Sequence, residues 1–148
     1  MEKVKILWVD DEIDLLKPHV MFLESKGYSL DTVNNGEDAL EMIDNESYDI
    51  IFLDENMPGL SGLETLSRII ENHNIPVVMI TKSEEEYIME EALGSRISDY
   101  LIKPVNPHQI LLSLKKNLDS KRLVNEKVTS TYQKEFREIS MALMDVRS

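Results

Sequence analysis

The chain has 148 residues, enough to close one hydrophobic core with about thirty residues over and too few for a multi-domain machine. With 42% apolar and 30% charged residues, no apolar stretch near the roughly 20 residues that span a bilayer, and no signal-peptide h-region, it reads as a soluble cytoplasmic protein with no membrane partner. The net charge of −12 disfavours duplex nucleic acid as a partner, and the absence of cysteine removes disulfides, thiolate metal sites and cysteine nucleophiles.

The acidity is uneven. Residues 119–148 hold five acidic and six basic side chains, so they carry +1 and residues 1–118 carry −13.

In chain order, β-branched apolar runs alternate with amphipathic stretches, the pattern of a parallel α/β sheet. The predicted strands are Val4 to Val9, Ser29 to Val33, Ile50 to Leu53, Val77 to Ile80 and Tyr100 to Ile102. The first, third and fourth are apolar at nearly every position, as expected of central strands covered on both faces. Helical stretches lie between them, at Asp14 to Lys26, Glu37 to Asn45, Leu63 to Asn72, Glu84 to Leu93 and Pro107 to Leu118. Pro107 fits a first-turn position, whereas Pro18 falls inside its stretch, where it should cost a hydrogen bond or a bend. Beyond residue 118, Val124, Val128, Tyr132, Phe136, Ile139, Leu143 and Val146 recur at intervals of four and three, one apolar stripe on a helix or helical hairpin. Such a stripe needs a partner: the preceding body, a second copy, or sequence beyond Ser148.

The chemistry lies at the strand ends. In an open parallel sheet the ligand site forms outside the carboxyl ends of the strands, where the winding direction reverses. With strand order 2-1-3-4-5, Asp10 and Asp11 after the first strand, Asp54 after the third, Thr81 after the fourth and Lys103 after the fifth come to one edge. Each residue alone has a local explanation: Asp10-Asp11 as a helix cap, Asp54 in a turn, Thr81 capping the fourth helix, Lys103 as a solvated strand end. Unrelated caps and turns have no reason to send all five to one place. Three clustered carboxylates repel unless a cation joins them or one is protonated, and oxygen-only ligation with open positions favours Mg²⁺. A carboxylate beside such an ion, with a lysine and a hydroxyl aimed at the same space, suits phosphoryl transfer with Asp54 as nucleophile.

The motifs ILWVDDE, IFLDENMPGLSG, MIT and DYLIKP closely resemble the receiver domain of two-component response regulators, over residues 1–118. The resemblance implies a flavodoxin-like (βα)5 fold, doubly wound, with residues 119–148 as a helical extension, a linker or the start of a helical region. It implies that Asp54 takes a phosphoryl group from a sensor histidine kinase. Asp11, Asp54 and the backbone carbonyl of Asn56 would ligate Mg²⁺, and Asp10 would reach it through water. Thr81 and Lys103 would hold the phosphoryl oxygens, Tyr100 would follow Thr81 inward, and the surface of the fourth and fifth helices would change. It further implies a cis peptide between Lys103 and Pro104. Two residues depart from the family's usual pattern. Lys82 adds bulk and charge where a small residue usually controls access to the phosphoryl group, and Trp8 stands where the first strand usually carries valine or isoleucine, as a core filler.

No DNA-binding helix-turn-helix fits in residues 119–148, so direct nucleic-acid binding by this stretch is not expected. The run ILWVDDEIDLLKPHV with a helical tail resembles PorX-type regulators, which implies an alkaline-phosphatase-like effector domain and a role in type IX secretion. The alternatives are a stand-alone receiver that docks to a partner or forms a homodimer through the fourth and fifth helices or the tail, and a haloacid-dehalogenase-like phosphatase. The latter wants an aspartate two places after the nucleophile, where Asn56 stands. A nucleotide- or flavin-binding module would need a Gly-rich loop where Asp10-Asp11-Glu12 stands.

Overall fold

In the computed structural model, residues 3–82 and 97–118 are described. The predicted fourth helical stretch and the apolar stripe of the tail lie outside them. The chain divides into a unit Met1–Leu114 and a unit Lys115–Ser148. Among the described residues no helix is long and apolar enough to cross a membrane.

Five parallel strands form one sheet in the order β2-β1-β3-β4-β5: β1 Lys5–Val9, β2 Ser29–Val33, β3 Ile50–Asp54, β4 Val77–Thr81 and β5 Asp99–Ile102. The helices are α1 Lys17–Ser25, α2 Gly36–Asn45, α3 Gly62–Asn72 and α4, residues 107–118. The alternation of runs predicts the parallel sheet, and the resemblance to receiver domains implies this flavodoxin-like arrangement of it. β3 and β4 are buried at every position and β1 at four of five, whereas the edge strands β2 and β5 are not. On the face covered by α2 and α3, Leu7, Val9, Ile51, Leu53, Val77 and Met79 pack with Ala39, Ile43, Leu66 and Ile69. The alternate residues Ile6, Trp8, Phe52, Val78 and Ile80 point to the other face, as the period of two requires, and are fully or almost fully buried. Leu23 of α1 and Ile110 and Leu114 of α4 are buried as well.

Local chemistry sets the helix starts. Asn35 caps α2, its Oδ1 accepting the Asp38 N–H at 2.7 Å. Ser61 and Glu64 form a reciprocal capping box on α3. Asn106 and Gln109 exchange the same pair of bonds, at 2.9 and 2.8 Å, where Pro107 opens α4 as expected. The first helical stretch differs from its expectation. Ile13–Leu16 forms a 3-10 turn and α1 starts only at Lys17, which puts Pro18 in the first turn of the helix. There its missing N–H would have had no helical partner, so no interior bond is lost. Gly27 ends α1 with φ of 98°, a left-handed conformation that glycine adopts without strain.

Candidate functional site

β1 and β3 are neighbours, and from them the chain winds in opposite directions, through β2 on one side and through β4 and β5 on the other. At that switch point Asp10 follows β1 and Asp54 ends β3. Backbone bonds fix both: the Asp10 N–H donates to Val33 O at 3.1 Å, and the N–H of Glu55 donates to Ile80 O at 3.0 Å. Gly62 lets α3 begin against this strand end, because a Cβ there would collide with the backbone of Asp54 and Glu55.

The carboxylates of Asp10, Asp11 and Asp54 each present an oxygen within 4.8 Å of the others. Asp10 and Asp54 are buried and Asp11 is exposed, so the cluster faces out along one open side. Lys103 reaches in from the end of β5, its Nζ 3.2 Å from Asp10 Oδ2 and 3.3 Å from Asp54 Oδ1. One ammonium thus serves two buried carboxylates. Burial first, and then the Asp10 charge, push the Asp54 carboxyl up to about 7, against the opposing pull of Lys103 and the Asn56 N–H. Burial works against the Lys103 ammonium, but Asp54 and Asp10 outweigh it and its pKa is raised.

Asp10 Oδ1 accepts the Glu12 N–H at 2.8 Å, while the buried Oδ2 completes no hydrogen bond and has the Lys103 charge as its neighbour. A buried carboxylate oxygen short of donors, in a group of hard oxygen ligands open on one side, fits Mg²⁺. Asn56 lies two residues after Asp54 and its N–H donates to Asp54 Oδ1 at 3.4 Å.

Thr81 is buried at the end of β4, and its carbonyl accepts the Lys103 N–H at 2.6 Å, which brings those two residues together. Lys82 is exposed and lines, with Asp10, Glu12, Lys103 and Ile80, a cavity of about 420 Å³ beside the acidic cluster. Tyr100 is further from the edge: it pairs with Met79 and packs, half-buried, against the core cluster on the α2/α3 face. The peptide bond between Lys103 and Pro104 is cis. Trp8 is fully buried against Phe52, with ring centroids 5.5 Å apart, as a core residue should be. It also walls the cavity.

His19 is a residue that no signal in the sequence marks. Its Nε2 lies 2.7 Å from the carbonyl oxygen of Val105, 86 residues away, and no local motif announces such a contact. His73 pairs with Asp44 at 3.2 Å and His108 stacks edge-on to Phe22, both away from the cluster.

The family model of the response regulator receiver domain matches residues 6–115. The chain is 39% identical over 113 residues to a transcriptional regulatory protein CpxR homolog of Haemophilus influenzae, covering 75% of this chain and 48% of that one. It is 34% identical over 113 residues to the transcriptional regulatory protein ResD of Bacillus subtilis, covering 76% of this chain and 47% of that one. The chain therefore spans about half the length of the curated relatives it matches. Among solved structures, the response regulator TrrA of Thermotoga maritima in complex with Mg²⁺ and BeF superposes with a TM-score of 0.68 at 30% identity, covering 76% of this chain and 97% of that one. Sheet order, clustered acids at the switch point and the match over residues 6–115 agree: the chain belongs to the response regulator receiver domain family of two-component systems.

Proposed function

We propose that residues 1–118 form a phosphorylatable switch in which Asp54 accepts a phosphoryl group from a sensor histidine kinase. The observation that carries this reading is the buried Asp54 carboxylate, held 3.3 Å from the Lys103 ammonium and in one cluster with Asp10 and Asp11. Asp11, Asp54 and the Asn56 carbonyl would hold Mg²⁺, with Asp10 reaching it through water; the clustering of the three acids and the similarity to TrrA, solved with Mg²⁺ and BeF, support Mg²⁺ as the ion. The bound ion supplies charge neutralisation for the phosphoryl oxygens.

Asp54 in its ionised form attacks phosphorus through one carboxylate oxygen. The bond from phosphorus to the kinase's imidazole nitrogen breaks, and the imidazole takes up a proton as it leaves. Lys103 exchanges carboxylate contacts for phosphoryl oxygens, and the Thr81 hydroxyl binds another of them. Tyr100 then follows Thr81 inward, and the surface of the predicted fourth helix and of α4 changes. Lys82, at the mouth of the cavity, slows attack by small donors and by hydrolytic water. Receiver domains are signalling domains, and the chemistry of this one is confined to making and losing its own acyl phosphate.

The reading places the chain in the cytoplasm, with residues 119–148 as a helical connection to an output. The likeness of ILWVDDEIDLLKPHV to PorX-type regulators supports an alkaline-phosphatase-like effector, whereas the transcriptional regulatory proteins matched along about half of their length support a transcriptional output. Signalling through a docked partner or a homodimer is the reading for a receiver without an output domain.

The test is incubation with Mg²⁺ and phosphoramidate followed by intact mass measurement of wild type and Asp54→Asn. A phosphate-sized gain in wild type and none in the variant is expected. No gain with phosphoramidate or with any phosphorylated kinase overturns the assignment.

A further inference from the structure

His19 stands on α1, on the wall of the cavity that separates this helix from the loop after β5. Its Nε2 is 2.7 Å from Val105 O. A carbonyl oxygen only accepts, so Nε2 carries the proton and Nδ1 carries the bare lone pair in the neutral ring. Nδ1 is buried without a hydrogen-bond partner, and the ring meets Trp8 edge-on with centroids 6.2 Å apart at 86°.

The loop that His19 touches carries Lys103. At one end the Lys103 N–H donates to Thr81 O at 2.6 Å, which fixes the loop to β4. Two residues later Val105 is tied to α1 through His19. Between the two ties lies the cavity of about 420 Å³, walled by Trp8, Leu16, Ile80, Pro104 and Val105. Val105 is buried and α4 begins two residues after it, so the loop is held at both ends; beside the cavity, the hydrogen bond from His19 is a direct polar tie between this loop and α1.

We propose that His19 is a positioning residue for phosphoryl transfer: through the bond from its Nε2–H to the Val105 carbonyl it sets where the loop presents the Lys103 ammonium. This rests on the reading of Asp54 as phosphoacceptor and Lys103 as its phosphoryl contact, and it adds a residue that touches neither reactant. Placement errors near 1 Å in a reacting constellation cost up to about a hundredfold in rate. Without the His19 tie the loop is still held by β5 before it and by α4 after it and keeps part of its placement, so the expected loss is about tenfold.

The full chain is tested by the rate of phosphoryl uptake from phosphoramidate at saturating Mg²⁺, with Mg²⁺ affinity measured by calorimetry. His19→Phe keeps an edge-on ring against Trp8 and removes the donor; His19→Gln keeps an N–H of similar reach. His19→Phe should slow uptake about tenfold and His19→Gln should restore most of it, at Mg²⁺ concentrations that calorimetry shows to be saturating for each variant, so that a change in Mg²⁺ affinity through the Lys103 contacts to Asp10 and Asp54 does not enter the rate. In a Lys103→Met background, His19→Phe should add less than about twofold. Uptake at the wild-type rate in His19→Phe overturns the proposal, as does an undiminished tenfold effect without Lys103. Imidazole ¹⁵N resonances of the wild type test the tie independently of how the variants fold: the Nε2–H form is expected and the Nδ1–H form overturns it. If wild type itself takes no phosphoryl group, the assignment of Asp54 falls and this inference with it; if wild type reacts and His19→Phe matches it, this inference falls alone.

Discussion

The two ends of the sheet hold similar charges to opposite effect. At the carboxyl end, Asp10 and Asp54 are buried and share Lys103, with Asp11 beside them. At the amino end, Lys5 meets Glu46 at 2.6 Å and Asp31 at 3.9 Å, the Lys5 N–H donates to Asp49 Oδ2 at 2.8 Å, and the Tyr48 hydroxyl donates to Asp31 Oδ2 at 2.6 Å. Here the Lys5 ammonium is also shared, but each carboxylate has a hydrogen-bond donor of its own and access to water, so no buried charge is left to be neutralised. Burial and the count of donors per carboxylate, more than the number of acids, decide which end is a site and which is a fastening. The excess of negative charge in residues 1–118 therefore says little by itself about where a cation belongs.

The largest break in that comparison should come from Lys103→Met. It leaves two buried carboxylates without their shared cation, and removal of one partner of a buried ion pair costs about 3 kcal/mol. Urea unfolding without Mg²⁺ should show a loss of that order at pH 8 and a smaller one at pH 5, where Asp54 holds a proton. An equal loss at both pH values would mean that Lys103 acts through packing of its stem.

Asp54→Asn should move stability the other way. The Asp54 carboxyl has an ordinary value of 3.8 and is pushed up to about 7 in the folded chain. Between those values the folded state keeps a proton that the unfolded chain has released, so stability falls as pH rises from about 4 to about 7 and is flat above. The amide has no such slope. Without Mg²⁺ the variant should be more stable than wild type by about 2 kcal/mol at pH 8, a Tm increase of about 5 °C or more, and should lose most of that advantage by pH 4. Thermal melts across pH read this directly, and parallel pH profiles for the two proteins would show that the charge on Asp54 is not what strains the edge.

How much of this was legible in the sequence depended on how local each cause was. Central parallel strands are buried on both faces, so β1, β3 and β4 are written as unbroken apolar runs, and the first polar residue after each marks the sheet edge. Asp10, Asp54 and Thr81 could be placed on that basis, and Lys103 by the same rule on a shorter strand. Asn106, Pro107 and Gln109 likewise carry their capping geometry within four residues. The start of α1 is not legible in the sequence, because Pro18 suits the second helical residue as well as it spoils an interior one, and periodicity alone does not separate the two. His19 and the Lys5–Tyr48 fastening were invisible for a different reason. Their partners lie elsewhere in the fold, a backbone carbonyl in one case and side chains of β2 and of the loop between α2 and β3 in the other, and no spacing in the chain encodes those meetings.

The smallest predicted effect tests whether the two ends are independent. Tyr48→Phe removes the hydroxyl that donates to Asp31 and leaves the ring over which Lys5 sits at 5.3 Å. The loss should be about 1 kcal/mol, the usual net worth of one hydrogen bond. Burial first, and then the Asp31 acceptor, raise the phenol above its ordinary 10.0, so the hydroxyl stays protonated and its contribution is present in full below pH 10 and lost only as pH rises through the folded value. The cost should therefore be the same at pH 6 and pH 9, unlike either substitution at the other end. Lys5→Met should cost less and vanish in high salt, since its ion pairs are exposed. Neither variant should alter Mg²⁺ affinity or phosphoryl uptake. A change in either quantity would show that β1, which runs from Lys5 to the residue before Asp10, transmits strain along its length, and the division of the sheet into a site and a fastening would then fail.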